Sequence, residues 1–254
     1  MLIELPFELP DRTIKPRENG ITMVMDKGLS VREAEDMINT SGHLIDFVKL
    51  GFGTSLFTNK LKEKIQFYQA NNIKVYLGGT LFEAFIIRNK FDDYRKFIKK
   101  LNINTVEVSD GSMEMKHDVK CEYISKLATE NTVISEVGSK EAGLIIAPGR
   151  WVKMMQSELQ AGSVKVIAEA RESGNVGIYR PNGNAHVALI NKILAVVPIE
   201  KIIWEAPLKS QQVWFIKHFG TNINLGNIAP NEVIAIETLR MGLRGDTFHQ
   251  FLTQ

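Results

Sequence analysis

The sequence predicts an α/β protein, a single-domain (β/α)8 TIM barrel, on three observations. Eight short apolar runs alternate with segments of helical periodicity at roughly 30-residue intervals. The chain has 254 residues, a usual length for one such barrel. Most of the runs end in a glycine-bearing, charged stretch, and barrels build their sites at the C-terminal ends of their strands. A doubly wound open sheet is the structural competitor. Equal repeats without a break favour the barrel. No Gly-x-Gly-x-x-Gly follows the first strand, which counts against a dinucleotide fold.

The elements follow in order. Residues 1–19 contain Pro6, Pro10 and Pro16 and read as an irregular lead-in, which leaves 20–254 for the barrel. The first strand is expected at 21–25, ending in Asp26-Lys27-Gly28. Ser30 then caps a helix, with Glu33 as its capping-box partner. The second strand is expected at 45–50, followed by Gly51-Phe52-Gly53-Thr54-Ser55. A helix over 58–71 places Leu61, Ile65 and Tyr68 on one side. The third strand, 73–77, runs into Gly78-Gly79-Thr80, and one helix is expected over about 83–101. The fourth strand, 105–109, ends at Asp110-Gly111-Ser112, before a helix over 116–129. The fifth strand starts at Thr132 and carries Glu136, Gly138 and Lys140 on one face if extension persists. Pro148 and Gly149 are expected to break the chain before a helix over about 150–160.

The sixth strand is expected at 163–168, ending in Glu169-Ala-Arg-Glu-Ser-Gly174. Residues 175–185 read as a long exposed loop and a lid candidate. A helix over about 186–196 precedes the seventh strand, 201–205. A further helix over 210–219 precedes the eighth strand, 222–225, with Gly226-Asn227 after it. The last helix starts near Pro230.

Composition narrows the function. The chain is 44% hydrophobic and 24% charged with a net charge of +2, which gives no reason to expect nucleic acid or a membrane surface as partner. The single cysteine, Cys121, excludes an intrachain disulfide and fits a reducing compartment. One cysteine and five scattered histidines argue against a soft-ligand zinc site. No apolar run reaches the roughly 18 residues of a membrane span. The acidic N-terminal stretch lacks a signal-peptide pattern. A soluble, cytoplasmic protein is expected.

The strand ends carry both charge signs: Asp26, Lys27, Lys49, Glu83, Glu107, Asp110, Glu136, Lys140, Glu169, Arg171, Glu205, Lys209 and Asn227. Such a ring suits a mouth that binds anions and a hard cation, although strand ends are also ordinary places for solvated charge. Glu107, Glu136, Glu169 and Glu205 come from four strands. Carboxylates converging without His or Cys suit Mg²⁺, which prefers oxygen ligands. Each is equally readable as a salt-bridge partner of Lys49, Lys140 or Arg171. Arg171 and Lys209 would add charge-assisted contacts to an anion, and Gly226-Asn227 follows the eighth strand, where barrels often hold phosphate. Lys140 reads as a general acid or base, as a Schiff-base nucleophile, or as an ion-pair partner of Glu136. Met154 and Met155, like the run Trp214-Phe215-Ile216, read as core or interface rather than as a cofactor box.

The motifs, taken together, resemble one family. In order they are Asp26-Lys-Gly28, Lys49-x-Gly-x-Gly-Thr-Ser55, Gly78-Gly-Thr-Leu-Phe-Glu83, Ser109-Asp-Gly111 and Ser135-Glu-Val-Gly-x-Lys140. Glu169-Ala-Arg-Glu-Ser-Gly174, Glu205-Ala-Pro-x-Lys-x-Gln-Gln212, Asn227-Ile-Ala-Pro230 and Glu237-Thr-Leu-Arg-x-Gly-Leu-Arg-Gly-Asp-Thr247 follow. The series resembles the phosphosulfolactate synthase family over about residues 20–247. The resemblance implies a barrel enzyme, a carbon–sulfur lyase, that adds sulfite to phosphoenolpyruvate with Mg²⁺ to give (2R)-phospho-3-sulfolactate. It implies Lys140 as the general acid. On this reading Lys49, Arg171, Lys209 and Asn227 bind substrate, and Glu107, Glu136, Glu169 and Glu205 are the metal candidates. The rivals are an enolase- or aldolase-like lyase on another small phosphorylated acid and a non-catalytic anion-binding barrel. A homo-oligomer is expected from apolar helix faces such as Trp214-Phe215-Ile216.

Overall fold

In the computed structural model, which describes residues 6–138 and 146–252, eight parallel strands form one sheet. They are β1 (Thr22–Asp26), β2 (Phe47–Leu50), β3 (Lys74–Leu77), β4 (Thr105–Val108), β5 (Thr132–Val137), β6 (Ser163–Ala168), β7 (Ile202–Glu205) and β8 (Leu225–Ile228). The sheet order is β3-β2-β1-β8-β7-β6-β5-β4. The two end strands, β3 and β4, lie side by side and bring the sheet almost to closure as a (β/α)8 barrel. The helices among the described residues are α1 (Val31–Ser41), α2 (Leu61–Ala70), α3 (Gly79–Ile86), α4 (Phe91–Lys100), α5 (His117–Ala128), α6 (Pro148–Ala161), α7 (Val187–Leu194), α8 (Lys209–Phe219) and α9 (Val233–Arg240). None of the described helices is long and apolar enough to cross a membrane.

Strand periodicity sorts the side chains into two layers. Ile21, Met23, Phe47, Tyr76, Ile134, Ile167 and Ile203 fill the barrel interior. Val24, Val48, Val75, Val106, Val133, Val166 and Trp204 face outward into the larger layer under the helices. Both faces are therefore buried, as a parallel sheet with crossover helices requires. Met154 and Met155 belong to the outer layer, as expected.

The residues of the lead-in that are described form no regular element and run under the N-terminal ends of the strands. Arg17 forms an ion pair with Asp46 at 2.8 Å, and Arg12 one with Glu237 at 2.8 Å. Lys165, on β6, donates to the carbonyls of Glu18 and Glu200, each at 2.8 Å. Strong polar contacts thus shut the end of the barrel opposite the expected mouth.

Most expected elements lie within a few residues of their places. The capping box of Ser30 and Glu33 forms as the spacing predicts. Four expectations need correction. The eighth strand lies at Leu225–Ile228 rather than 222–225. Gly226 is inside it because the interior is full there: an added Cβ would come within 2.6 Å of Met23 Cε and 3.0 Å of Ile203 Cγ2. The single helix over 83–101 is two, α3 and α4, because Asn89 takes a left-handed conformation between them. Pro148 begins α6 rather than breaking it, at the first-turn position where its missing N–H costs nothing.

The fourth correction concerns the lid candidate at 175–185. Ile178 and Tyr179 are buried, and Tyr179 Oη donates to the carbonyl of Glu205 at 2.7 Å. Gln211 Nε2, on α8, donates to Gly174 O at 2.7 Å and Gly183 O at 3.2 Å. The segment is pinned over the ends of β6 and β7 and leaves Arg180, Pro181 and Asn182 exposed.

The crowding at Gly226 predicts the cost of overpacking. Gly226→Ala should lower the urea-unfolding free energy by about 1–3 kcal/mol, since Met23 must leave its rotamer to admit the new methyl. Unchanged stability would mean that the interior yields more than its packing indicates.

Candidate active site

The C-terminal ends of β2, β4, β5 and β7 each point one charged side chain inward. Lys49 comes from β2, Glu107 from β4, Glu136 from β5 and Glu205 from β7, and all four are buried. Lys49 Nζ lies 3.0 Å from Glu107 Oε2, 3.1 Å from Glu136 Oε2 and 3.6 Å from Glu205 Oε1. Burial works against the Lys49 charge, but Glu107, Glu136 and Glu205 outweigh it and hold the ammonium well above the usual lysine range. Glu107 is also fixed by the Gly79 N–H, which donates to its Oε1 at 2.6 Å from the start of α3.

Glu169 follows β6 directly and joins the same space. One carboxylate oxygen from each of Glu136, Glu169 and Glu205 lies within 4.8 Å of the others, and all three residues are buried. The arrangement needs a close approach of two strand ends. Gly138 has φ 147°, and a Cβ there would lie 2.4 Å from the Glu169 Cβ. Glu169 Oε1 accepts from the Arg171 N–H at 2.6 Å, and Glu205 Oε2 from the Ala170 N–H at 2.9 Å. Burial pushes the Glu205 carboxyl up to about 7, with Lys49 opposing and Glu136 adding to the shift. Glu107, Glu136 and Glu205 thus share the buried Lys49 ammonium at the mouth, with the Glu169 carboxylate beside them. The hard, oxygen-only donor set of Glu136, Glu169 and Glu205 fits a hard divalent cation.

The other expected site residues are placed as follows. Arg171 is exposed at the rim with a left-handed backbone, φ 55°. Lys209, at the start of α8, is exposed and bonded to Asp246 at 2.6 Å. Asn227 has φ 56° and is almost buried, and its Oδ1 has no hydrogen-bond partner among the described residues. Lys140 lies outside the described residues.

Several members of the charged strand-end ring have partners outside this cluster. Asp26 turns outward to α2, where Lys64 Nζ lies 2.8 Å from its Oδ2 and Tyr68 donates to the same oxygen at 2.9 Å. Lys27 forms an exposed ion pair with Glu172. Glu83 accepts from Ser109 Oγ and from the Ser112 N–H, and Asp110 pairs with Lys120 at 2.8 Å. Trp214-Phe215-Ile216 does not form an exposed apolar face, because Phe215 and Ile216 are core residues of the outer layer.

Tyr76 escaped the sequence reading. It is the β3 register partner of Lys49, fully buried on the interior face. Burial first, and then Glu107, raises its phenol well above the ordinary value, so it stays a neutral hydroxyl. Period 2 along β3 places it on the Gly78 face, which was the available signal.

Fold and mouth together define a barrel enzyme whose site is built from carboxylates and lysine at the strand C-termini. The family model described as (2R)-phospho-3-sulfolactate synthase (ComA) matches residues 10–246, and the chain belongs to that family. It is 42% identical over 247 residues to the phosphosulfolactate synthase of Methanothermobacter thermautotrophicus, covering 95% of this chain and 96% of that one. It is 39% identical over 248 residues to the phosphosulfolactate synthase of Bacillus subtilis, covering 96% and 98%. Among solved structures, 3-hexulose-6-phosphate synthase from Salmonella typhimurium is similar in fold alone, with a TM-score of 0.57 at 12% identity and coverage of 88% of this chain and all of that one.

The raised Glu205 carboxyl predicts a pH dependence. Its folded value, about 7, lies above the ordinary 4.5, so the folded protein keeps a proton between those values that a bound cation must displace. Affinity for Mg²⁺, followed by calorimetry in buffers of different ionisation heat, should rise as pH increases through about 7, with proton release on binding. Glu205→Gln should weaken binding and flatten this dependence. Affinity independent of pH across that range would remove Glu205 from the cation site.

Proposed function

We propose that the chain is a phosphosulfolactate synthase that adds sulfite to phosphoenolpyruvate with Mg²⁺, giving (2R)-phospho-3-sulfolactate. The observation that carries the reading is the convergence, in a chain of this family, of Lys49 with Glu107, Glu136 and Glu205 at a buried mouth. Glu136, Glu169 and Glu205 would hold the cation. When bound, it would supply Lewis-acid stabilisation of the charge that gathers on the substrate carboxylate. Glu107 was grouped with the metal ligands on sequence grounds, but its contacts with Gly79 and Lys49 suit it better to orienting Lys49.

The reaction forms a bond between sulfite sulfur and C3 of the enolpyruvate. The C2–C3 π electrons move toward the carboxylate, and a proton is then delivered to C2. Two anions must be brought together, so cationic side chains dominate the demand on the protein. Lys49 supplies a permanent positive charge at the floor of the mouth. Arg171 at the rim, Lys209 at the start of α8 after β7, and Asn227 after Gly226 are assigned to the substrate anions. Lys140 is assigned as the general acid that protonates C2 on one face, on the strength of its motif, Ser-Glu-Val-Gly-x-Lys.

Small anionic substrates suffice for this chemistry, and no nucleic acid or membrane partner enters it. A cytoplasmic setting is part of the reading and is supported by the single cysteine. A homo-oligomer remains part of it as well, without support from Trp214-Phe215-Ile216.

Phosphorus NMR of phosphoenolpyruvate with sulfite and Mg²⁺ should show a new organophosphate that requires sulfite and disappears with chelator. Lys140→Ala should lower turnover by roughly 10²–10⁴-fold, the usual worth of a general acid, with phosphoenolpyruvate affinity largely kept. Near-normal turnover by that variant removes Lys140 from the mechanism. Borohydride trapping of a substrate adduct on lysine would instead favour an aldolase-like reaction.

A further inference from the structure

Lys120 lies on α5, outside the barrel wall, and its side chain has no exposed surface. A buried ammonium is costly unless it is paired and hydrogen-bonded. Its Nζ lies 2.8 Å from Asp110 Oδ1, just after β4, and 2.9 Å from Glu158 Oε1 on α6. The third contact is with backbone: Nζ donates to the Glu136 carbonyl at 2.6 Å. Burial works against the Lys120 charge, but Glu158 and Asp110 outweigh it and raise the lysine above its ordinary range. His117 also faces this cluster, with Nδ1 3.7 Å from Glu158 Oε1.

The backbone contact has a reason in the sheet. The β4–β5 ladder ends at the pair Val108 and Ser135. On the other edge of β5, the Val137 carbonyl accepts from the Glu169 N–H of the β6 exit at 3.0 Å. Carbonyls of successive strand residues point to opposite neighbours, so that of Glu136 points toward β4, where the ladder has run out. Lys120 supplies the donor that β4 no longer provides. The carboxylate of the same residue reaches the other way, into the barrel and to Lys49. Glu136 is therefore gripped from both sides of the wall by two buried ammonium groups.

We propose that Lys120 is a positioning residue for the active site, its ammonium standing in for a missing strand donor and fixing the backbone from which Glu136 presents its carboxylate to Lys49, Glu169 and Glu205. The consequence for turnover rests on the function proposed above, while the consequence for cation binding and local backbone stability does not.

The test separates positioning from mere stability. Lys120→Met leaves Glu158 and Asp110 without their cation and should lower Tm. Lys120→Met combined with Glu158→Gln removes one stranded buried charge and should recover much of the loss. In that double variant, Mn²⁺ as a probe, followed by electron paramagnetic resonance, should bind 10–100-fold more weakly than in the wild type, the usual effect of losing a group that orients a metal ligand. Amide exchange of residues 135–138 should quicken while that of the remaining strands stays unchanged. Wild-type Mn²⁺ affinity in the folded double variant would overturn the proposal and leave Lys120 as a packing cation. If the wild-type protein binds no Mn²⁺, the cation reading of the site fails separately, and exchange at 135–138 alone decides: local quickening supports positioning, and no change overturns it.

Discussion

An ammonium enclosed by carboxylates sets the terms for the rest of this molecule. Lys49 lies within 3.6 Å of acidic oxygens from three other strands, and none of the four residues is open to water. Charges in such a place persist only because each compensates the others. Lys49 thus acts as a strut across the barrel, linking β2 to β4, β5 and β7. Glu169 brings a further buried carboxylate to the same space. Burial pushes the Glu205 carboxyl up to about 7, with Lys49 opposing the shift and Glu136 adding to it. Glu136, Glu169 and Glu205 together form a donor set of the kind that holds a metal ion, which joins the electrostatics of the fold to the proposed chemistry.

The barrel makes this concentration of charge possible by separating it from everything apolar. Valines on the outward face carry the packing against the helices, and Ile134, Ile167 and Ile203 plug the interior below the mouth. The opposite end is shut by Arg17 with Asp46 and by Lys165 with two backbone carbonyls. With its core and its base secured in this way, the strand tips can bear costly arrangements, such as the burial of Glu107, Glu136 and Glu205 around Lys49. The likeness to a solved barrel at 12% identity shows that the frame is shared between very different sequences and does not by itself fix the chemistry.

Much of the fold was legible in the chain because local rules govern it. Ser30 with Glu33 marks a helix start, and β-branched runs such as Thr132 to Ile134 mark strands, whatever surrounds them. The charged residues at the strand ends were legible as candidates, since each stands at or just after an apolar run, but that position alone does not separate site residues from structural ion pairs such as Asp26 with Lys64. Errors arose where local signals oppose tertiary ones. Gly226 and Asn227 have poor strand propensity, yet β8 includes both, because Met23 and Ile203 leave no room for a larger side chain at Gly226. The stretch after Gly174 has a loop composition, yet Tyr179 is buried because its hydroxyl finds the Glu205 carbonyl.

Direction is what sequence order withholds. Asp26 and Glu136 look alike as acids near strand ends, but Asp26 faces the helices and Lys64, whereas Glu136 faces the barrel and Lys49. Lys120 reads as one more helical lysine until the end of the β4–β5 ladder exposes a carbonyl for it to bond. Periodicity and capping, which act over a few residues, were enough to set the eightfold alternation and the inventory of charged groups. Which charges meet, and which are turned away to hold helices in place, followed from strand register and barrel closure, because those bring together residues as distant in the chain as Lys49 and Glu205.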